Sequence, residues 1–207
     1  CLPMKKLLFL LLLLPLLAAA QADKDSLLQR DREIIIAKLK FMDYLRPYGL
    51  RGQCTGYMQR LKSDRVFEQF YNDTLIAKNP VPSMNIASHL KARPKNWKEL
   101  SDAIANANYE MAFDILKTYG YLSTKRLGEP RGGTLIEQFA NMSYEDRRPI
   151  GKILKGEYKL GRLTDREYEL FGFLMSKNAT DERSINKMAE KGFFKVSSKD
   201  VTKTNDK

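Results

Sequence analysis

Few residues in this chain have the type and spacing that chemistry needs. Gly128-Glu129-Pro130-Arg131-Gly132-Gly133-Thr134 holds two glycines five apart, the outer spacing of a phosphate loop. The lysine that should follow is absent, and Tyr119–Leu127 reads as loop rather than strand. Nucleotide hydrolysis is therefore rejected. What the glycines still allow is a set of free backbone N–H groups where a helix opens near Thr134. Gly128, Arg131, Gly132 and Gly133 form a candidate anion loop. The single histidine, His89, lies between Ile86, Ala87 and Leu90 and reads as a packed, hydrogen-bonded side chain. Without a second imidazole it makes no His-pair metal site. Pairing with Cys54 as a thiol nucleophile has no supporting context. Glu137, Glu145, Glu157 and Glu169 are the carboxylates on which a glycoside-cleaving pair would draw. Most sit among Lys and Arg at helical spacing, as solvated helix faces do. No catalytic residue, metal or cofactor is expected.

The strongest binding signal is charge. Thirty-six Lys and Arg oppose 25 Asp and Glu, a balance of +11 over 207 residues. From Lys38 to Arg65 seven cations face only Asp43 and Asp64, and aromatic residues are interleaved. Lys38, Lys40, Tyr44, Arg46, Tyr48, Arg51, Tyr57 and Arg60 are the candidate binding residues, because cations beside exposed rings suit a polyanion or a sugar face. A second basic cluster, Arg147, Arg148, Lys152, Lys155 and Lys159, reads as an ordinary exposed helix face.

The chain opens with an address. Lys5 and Lys6 precede an apolar run from Leu7 to Ala20, followed by Ala20-Gln21-Ala22. That order is a secretory signal peptide, with cleavage expected after Ala22. The run falls short of the roughly 20 residues that cross a bilayer, so no transmembrane segment is expected after cleavage. Cleavage removes two lysines and no acid, which leaves +9, one His and one Cys. A periplasmic or extracellular protein with a lone cysteine has no internal disulfide. Asn72, Asn141 and Asn178 fit the glycosylation acceptor pattern.

These residues need elements to position them, and the periodicity is helical nearly throughout. A first helix spans about 25–45 and is expected to stop at Arg46-Pro47-Tyr48-Gly49. Helices follow over about 64–75, 86–90 and 96–119, the last opened by Asn96 with Glu99 and closed by Gly120. Thr134–Met142 is shorter. Ser143 caps a helix to about Tyr158, where Pro149 predicts a kink or a break. Thr164-Asp165-Arg166-Glu167 is a full capping box, and a last helix ends near Lys191. Val81 and Phe193–Val196 are the only strand-like fragments. The expected fold is all-α, an irregular bundle of about six to eight helices with little or no sheet. The expected divisions are a signal peptide over 1–22, an N-terminal helical part over 23–93, a C-terminal helical unit over 94–194, and a flexible tail over 195–207. The proline-containing stretch 79–94 is the expected hinge.

Ile115-Leu116-Lys117-Thr118-Tyr119-Gly120-Tyr121, Lys125-Arg126-Leu127-Gly128, Leu135-Ile136-Glu137-Gln138-Phe139-Ala140, Pro149-Ile150 and Gly161-Arg162-Leu163-Thr164 occur in that order. Over Tyr109–Leu174 the chain resembles a family of bacterial, often exported, helical domains of unassigned function. The resemblance implies a helical domain and no activity. The family's histidine after the glutamine is Phe139 here, and its glutamine- and glycine-rich ending is replaced by Asn178–Lys191. The expectation is a basic exported protein that binds a partner protein or an anionic envelope polymer, not nucleic acid. An envelope-directed hydrolase is the alternative.

Overall fold

The computed structural model describes residues 23–49, 64–140 and 142–193. The expected signal peptide, Arg51, Cys54, Tyr57, Arg60, Asn141 and residues 195–207 lie outside them. The fold is all-α: eight helices of seven residues or more and no strand occur among the described residues. Two compact units divide at Asn141 and Met142, so the stretch 79–94 lies inside the first unit rather than between two.

The first unit opens with α1 over 23–30 and α2 over Arg32–Gly49. Helix α2 buries Ile35, Ile36, Leu39, Met42 and Leu45, the stripe that the spacing required. It does not stop at Arg46. Pro47 sits in its last turn, where the missing N–H costs one intrahelical bond, and the helix continues to Gly49. Gly49 is buried, and a Cβ there would meet Ile104 Cγ2 at 2.6 Å, so glycine sets the close approach of α2 to a later helix.

Helix α3, Asp64–Gln69, runs into a π-helical turn over Phe70–Ile76. Val81 lies in a turn rather than a strand, and α4 follows over Ile86–Leu90. The longest helix, α5, spans Trp97–Tyr119. Its cap is the expected one, since Asn96 Oδ1 accepts from the Glu99 N–H at 2.9 Å. Gly120 ends it at φ 75°, in the range that favours glycine. The stretch expected as loop includes one helical turn, α6, over Thr124–Leu127, and α7 spans Gly132–Ala140. Phe41, Leu45, Phe67, Tyr71, Leu75, Leu100 and Ile104 form the core between α2, α3, the π-turn and α5.

The second unit contains α8 over Tyr144–Lys159, α9 over Asp165–Leu174, a 3₁₀ turn over Lys177–Thr180, and α10 over Glu182–Glu190. Pro149 does not divide α8, which is one continuous helix. Its single lost bond near the start is outweighed by the burial of Ile150 and Leu154. The Thr164 capping box is formed in full: Thr164 Oγ1 accepts from the Glu167 N–H, and Glu167 Oε2 accepts from the Thr164 N–H. Arg166 holds the end of α10, donating to the Gly192 carbonyl at 2.7 Å beneath the Phe193 ring.

Candidate functional site

Five of the eight predicted binding residues are described, and α2 separates them. Lys40, Tyr44 and Tyr48 recur at four and share one side of the helix, whereas Lys38 and Arg46 lie on another. Tyr44 turns inward: its hydroxyl reaches the Thr74 carbonyl at 2.9 Å and the Leu75 carbonyl at 3.1 Å. Burial pushes its pKa up. Tyr48 packs edge-on against Tyr44 and Phe70, and Phe70 packs on Trp97. Arg46 pairs with Glu137. These tyrosines therefore join the core cluster instead of forming an exposed ring face.

The glycine loop has its own anion. Arg131 donates to Asp43 Oδ2 at 3.0 Å and to Glu129 Oε2 at 2.9 Å. Thr134 Oγ1 lies 3.2 Å from Asp43 Oδ1. The carboxylate of α2 thus stands at the first turn of α7, where the helix dipole favours negative charge. Gly128 ends α6 at φ 77°, Gly132 is buried, and Gly133 is exposed.

From Asp43 a line of hydrogen bonds crosses the interior. Gln138 Nε2 donates to the Thr134 carbonyl at 3.1 Å. Asn108 Nδ2 donates to Gln138 Oε1 at 3.2 Å and to the Met42 carbonyl at 3.4 Å. Asn108 Oδ1 is then an acceptor, so His89 Nε2, 2.9 Å away, carries the proton. His89 is packed as expected, edge-on to Phe41. Burial lowers its pKa, and the Asn108 bond and Glu110 offset this only in part. A depressed imidazole keeps its full contribution above its ordinary value near 6.5. That contribution falls as the pH drops below that value towards the folded pKa. Thermal midpoints from pH 7.5 to 5 should therefore fall less steeply in His89→Gln than in the native chain. Equal slopes would remove His89 as the titrating group.

The four carboxylates are each accounted for. Glu137 is exposed and paired. Glu169 pairs with Lys191. Glu145 is exposed in the first turn of α8. Glu157 is buried, and Arg162, also buried, donates to it at 3.1 and 3.3 Å. Two charges taken out of water need one another, and this pair closes the α8–α9 turn. Among the described residues no group of three or more His, Cys, Asp or Glu is placed to hold a metal.

The second basic cluster is more than a solvated face. Arg147 is buried and donates to the Ser176 carbonyl at 3.0 Å. Tyr144, Arg148, Lys152 and Lys155 follow a row at helical spacing on α8, and they line a groove of about 390 Å³. Tyr168, Ser176 and Lys177 form the opposite wall. Gly151, Leu154, Gly172 and Met175 form the floor. Among the described residues no carboxylate lines the groove, and Arg148, Lys152, Lys155 and Lys177 form no ion pair. Tyr168 stacks on Tyr158 with centroids 4.2 Å apart, and the Tyr158 hydroxyl donates to Asp165 at 2.8 Å. The ring is held in orientation from behind. The spacing of Tyr144, Arg148, Lys152 and Lys155 signals one wall in the sequence. The opposing wall comes from a helix whose packing no local pattern reveals.

Phe139, where the resemblance places a histidine, is fully buried against Tyr109. No family model, no curated protein and no solved structure matches the chain. No described helix is long and apolar enough to cross a membrane.

Proposed function

We propose that this is an exported, non-enzymatic binding protein that holds an anionic component of the cell envelope in the α8–α9 groove. The observation that carries the reading is the lining: Arg148, Lys152, Lys155 and Lys177 surround one concave surface, and no carboxylate among the described residues lines it. Unneutralised cations brought together repel one another, and an anion relieves that repulsion. Tyr144 and Tyr168 add flat, amphipathic contact area at low entropic cost. The signal-like leader supports a ligand outside the cytoplasm.

The test is binding of the exported protein to lipopolysaccharide and to peptidoglycan fragments across a salt series. Affinity should fall as ionic strength rises. The double variant Lys152→Gln, Lys155→Gln should bind about tenfold or more weakly, since each cation beside an anionic surface contributes on the order of 1 kcal/mol. The same pair of changes at Lys38 and Lys40 should have little effect. Salt-insensitive binding, or a greater loss from Lys38 and Lys40, would sink the assignment to this groove.

A further inference from the structure

The groove is cationic only at its rim. Its floor is Gly151, Gly172, Leu154 and Met175, between Tyr144 and Tyr168. A Cβ built on Gly172 meets nothing within 4 Å, and one on Gly151 meets only Met175 Cβ at 3.6 Å. The two glycines leave an open trough where side chains would otherwise stand. Its size falls in the range of about 300–1,000 Å³ typical of small-ligand sites. Lys152, Lys155 and Lys177 are exposed, and their long stems reach over apolar surface while the ammonium groups stay in water.

Resting on the anion-binding reading above, we infer that the ligand is an anionic amphiphile: an acidic headgroup among the rim cations, with hydrocarbon along the Gly151–Gly172 floor. A dense polyanion carries charge on every side and gains nothing from lysine methylene stems and bare glycine backbone. Single-stranded nucleic acid also favours cations with rings. Here, however, Tyr158 covers one face of Tyr168, and the remaining floor is aliphatic. An amphiphile uses both halves of the lining.

The experiment compares butyl phosphate with dodecyl phosphate below its micellar concentration, using the protein as the cell exports it. Dextran sulfate and an oligothymidylate serve as chain-free polyanions. Dodecyl phosphate should bind at least about 30-fold more tightly than butyl phosphate, because each methylene placed on the floor leaves water. Gly172→Leu fills the trough and should cut that ratio to about threefold or less. Gly156→Leu, equally open but outside the groove, should keep the ratio. Anion binding with a chain-length ratio below about threefold in the native chain overturns the amphiphile and leaves the groove reading standing. Tighter binding to oligothymidylate than to dodecyl phosphate overturns it in favour of nucleic acid. Binding to none of the four probes overturns both.

Discussion

Gly132→Ala is expected to destabilise the first unit by about 3 kcal/mol or more, through one methyl group. A Cβ at this position would stand 2.3 Å from the Leu122 carbonyl oxygen and 3.0 Å from the Tyr121 hydroxyl. The nearer atom is backbone, so no rotamer change relieves the contact. Either the start of α7 or the 121–122 segment must move, and both are buried. Alanine's better helix propensity offers only about 1 kcal/mol in return, so the clash wins. Gly133→Ala is the matched control: nothing lies within 4 Å of its Cβ, and the propensity gain should appear as a slight stabilisation. The single tryptophan, Trp97, packs against Phe67 and Phe70 in the first-unit core. Its fluorescence therefore reports unfolding of this unit. The midpoint should drop by about 10 °C or more in Gly132→Ala and hold or rise slightly in Gly133→Ala. A drop of equal size in both would mean that loop flexibility, not contact, governs the site.

Asn108→Leu should cost about 3 kcal/mol, although leucine has the same number of side-chain heavy atoms as asparagine, branched at the same carbon, and is the more hydrophobic. Asn108 is 1 % exposed and joins three partners: His89, Gln138 and the Met42 carbonyl. Leucine satisfies none of them. Gln138 Oε1 and the His89 N–H would be left in a poorly hydrated interior, and a stranded buried polar group costs about 1–3 kcal/mol. The double variant Asn108→Leu, Gln138→Leu should lose less than the sum of the single losses, because removing both members of a pair strands fewer atoms. A spectroscopic sign accompanies the loss. The Asn108 bond raises the His89 pKa, so its removal should move the imidazole titration to lower pH. An unmoved titration would mean that His89 is held by burial alone.

Local pattern carried the helices well. The stripe of α2 at spacings of three and four, the Asn96 and Thr164 caps and the glycine end of α5 are consequences of neighbours within one turn. A hydroxyl or amide three residues before a backbone N–H finds it wherever the rest of the chain lies. Pro47, and the break expected as one outcome at Pro149, are where local rules misled. A proline forfeits one intrahelical bond, and core burial on the same helix outweighs it.

Function was less legible, for the same reason. The tyrosines near Lys38 look available in sequence; whether a ring faces water depends on what packs against its helix, and π-turn carbonyls 30 residues away capture Tyr44. The glycine loop looks free, yet the carboxylate that satisfies it lies on α2, 91 residues before Thr134. The cluster on α8 looks like a plain solvated face until α9 supplies the second wall.

Composition and periodicity alone determined the all-α class and the caps, because each of these depends on contacts within a few residues. Only the tertiary structure decided where the charge becomes usable. Asp43 neutralises Arg131 and Glu137 pairs with Arg46 across contacts distant in sequence, while Arg148, Lys152, Lys155 and Lys177 converge on one groove with no acid among its described lining residues. Coulomb energy depends on separation in space, and separation along the chain does not fix it.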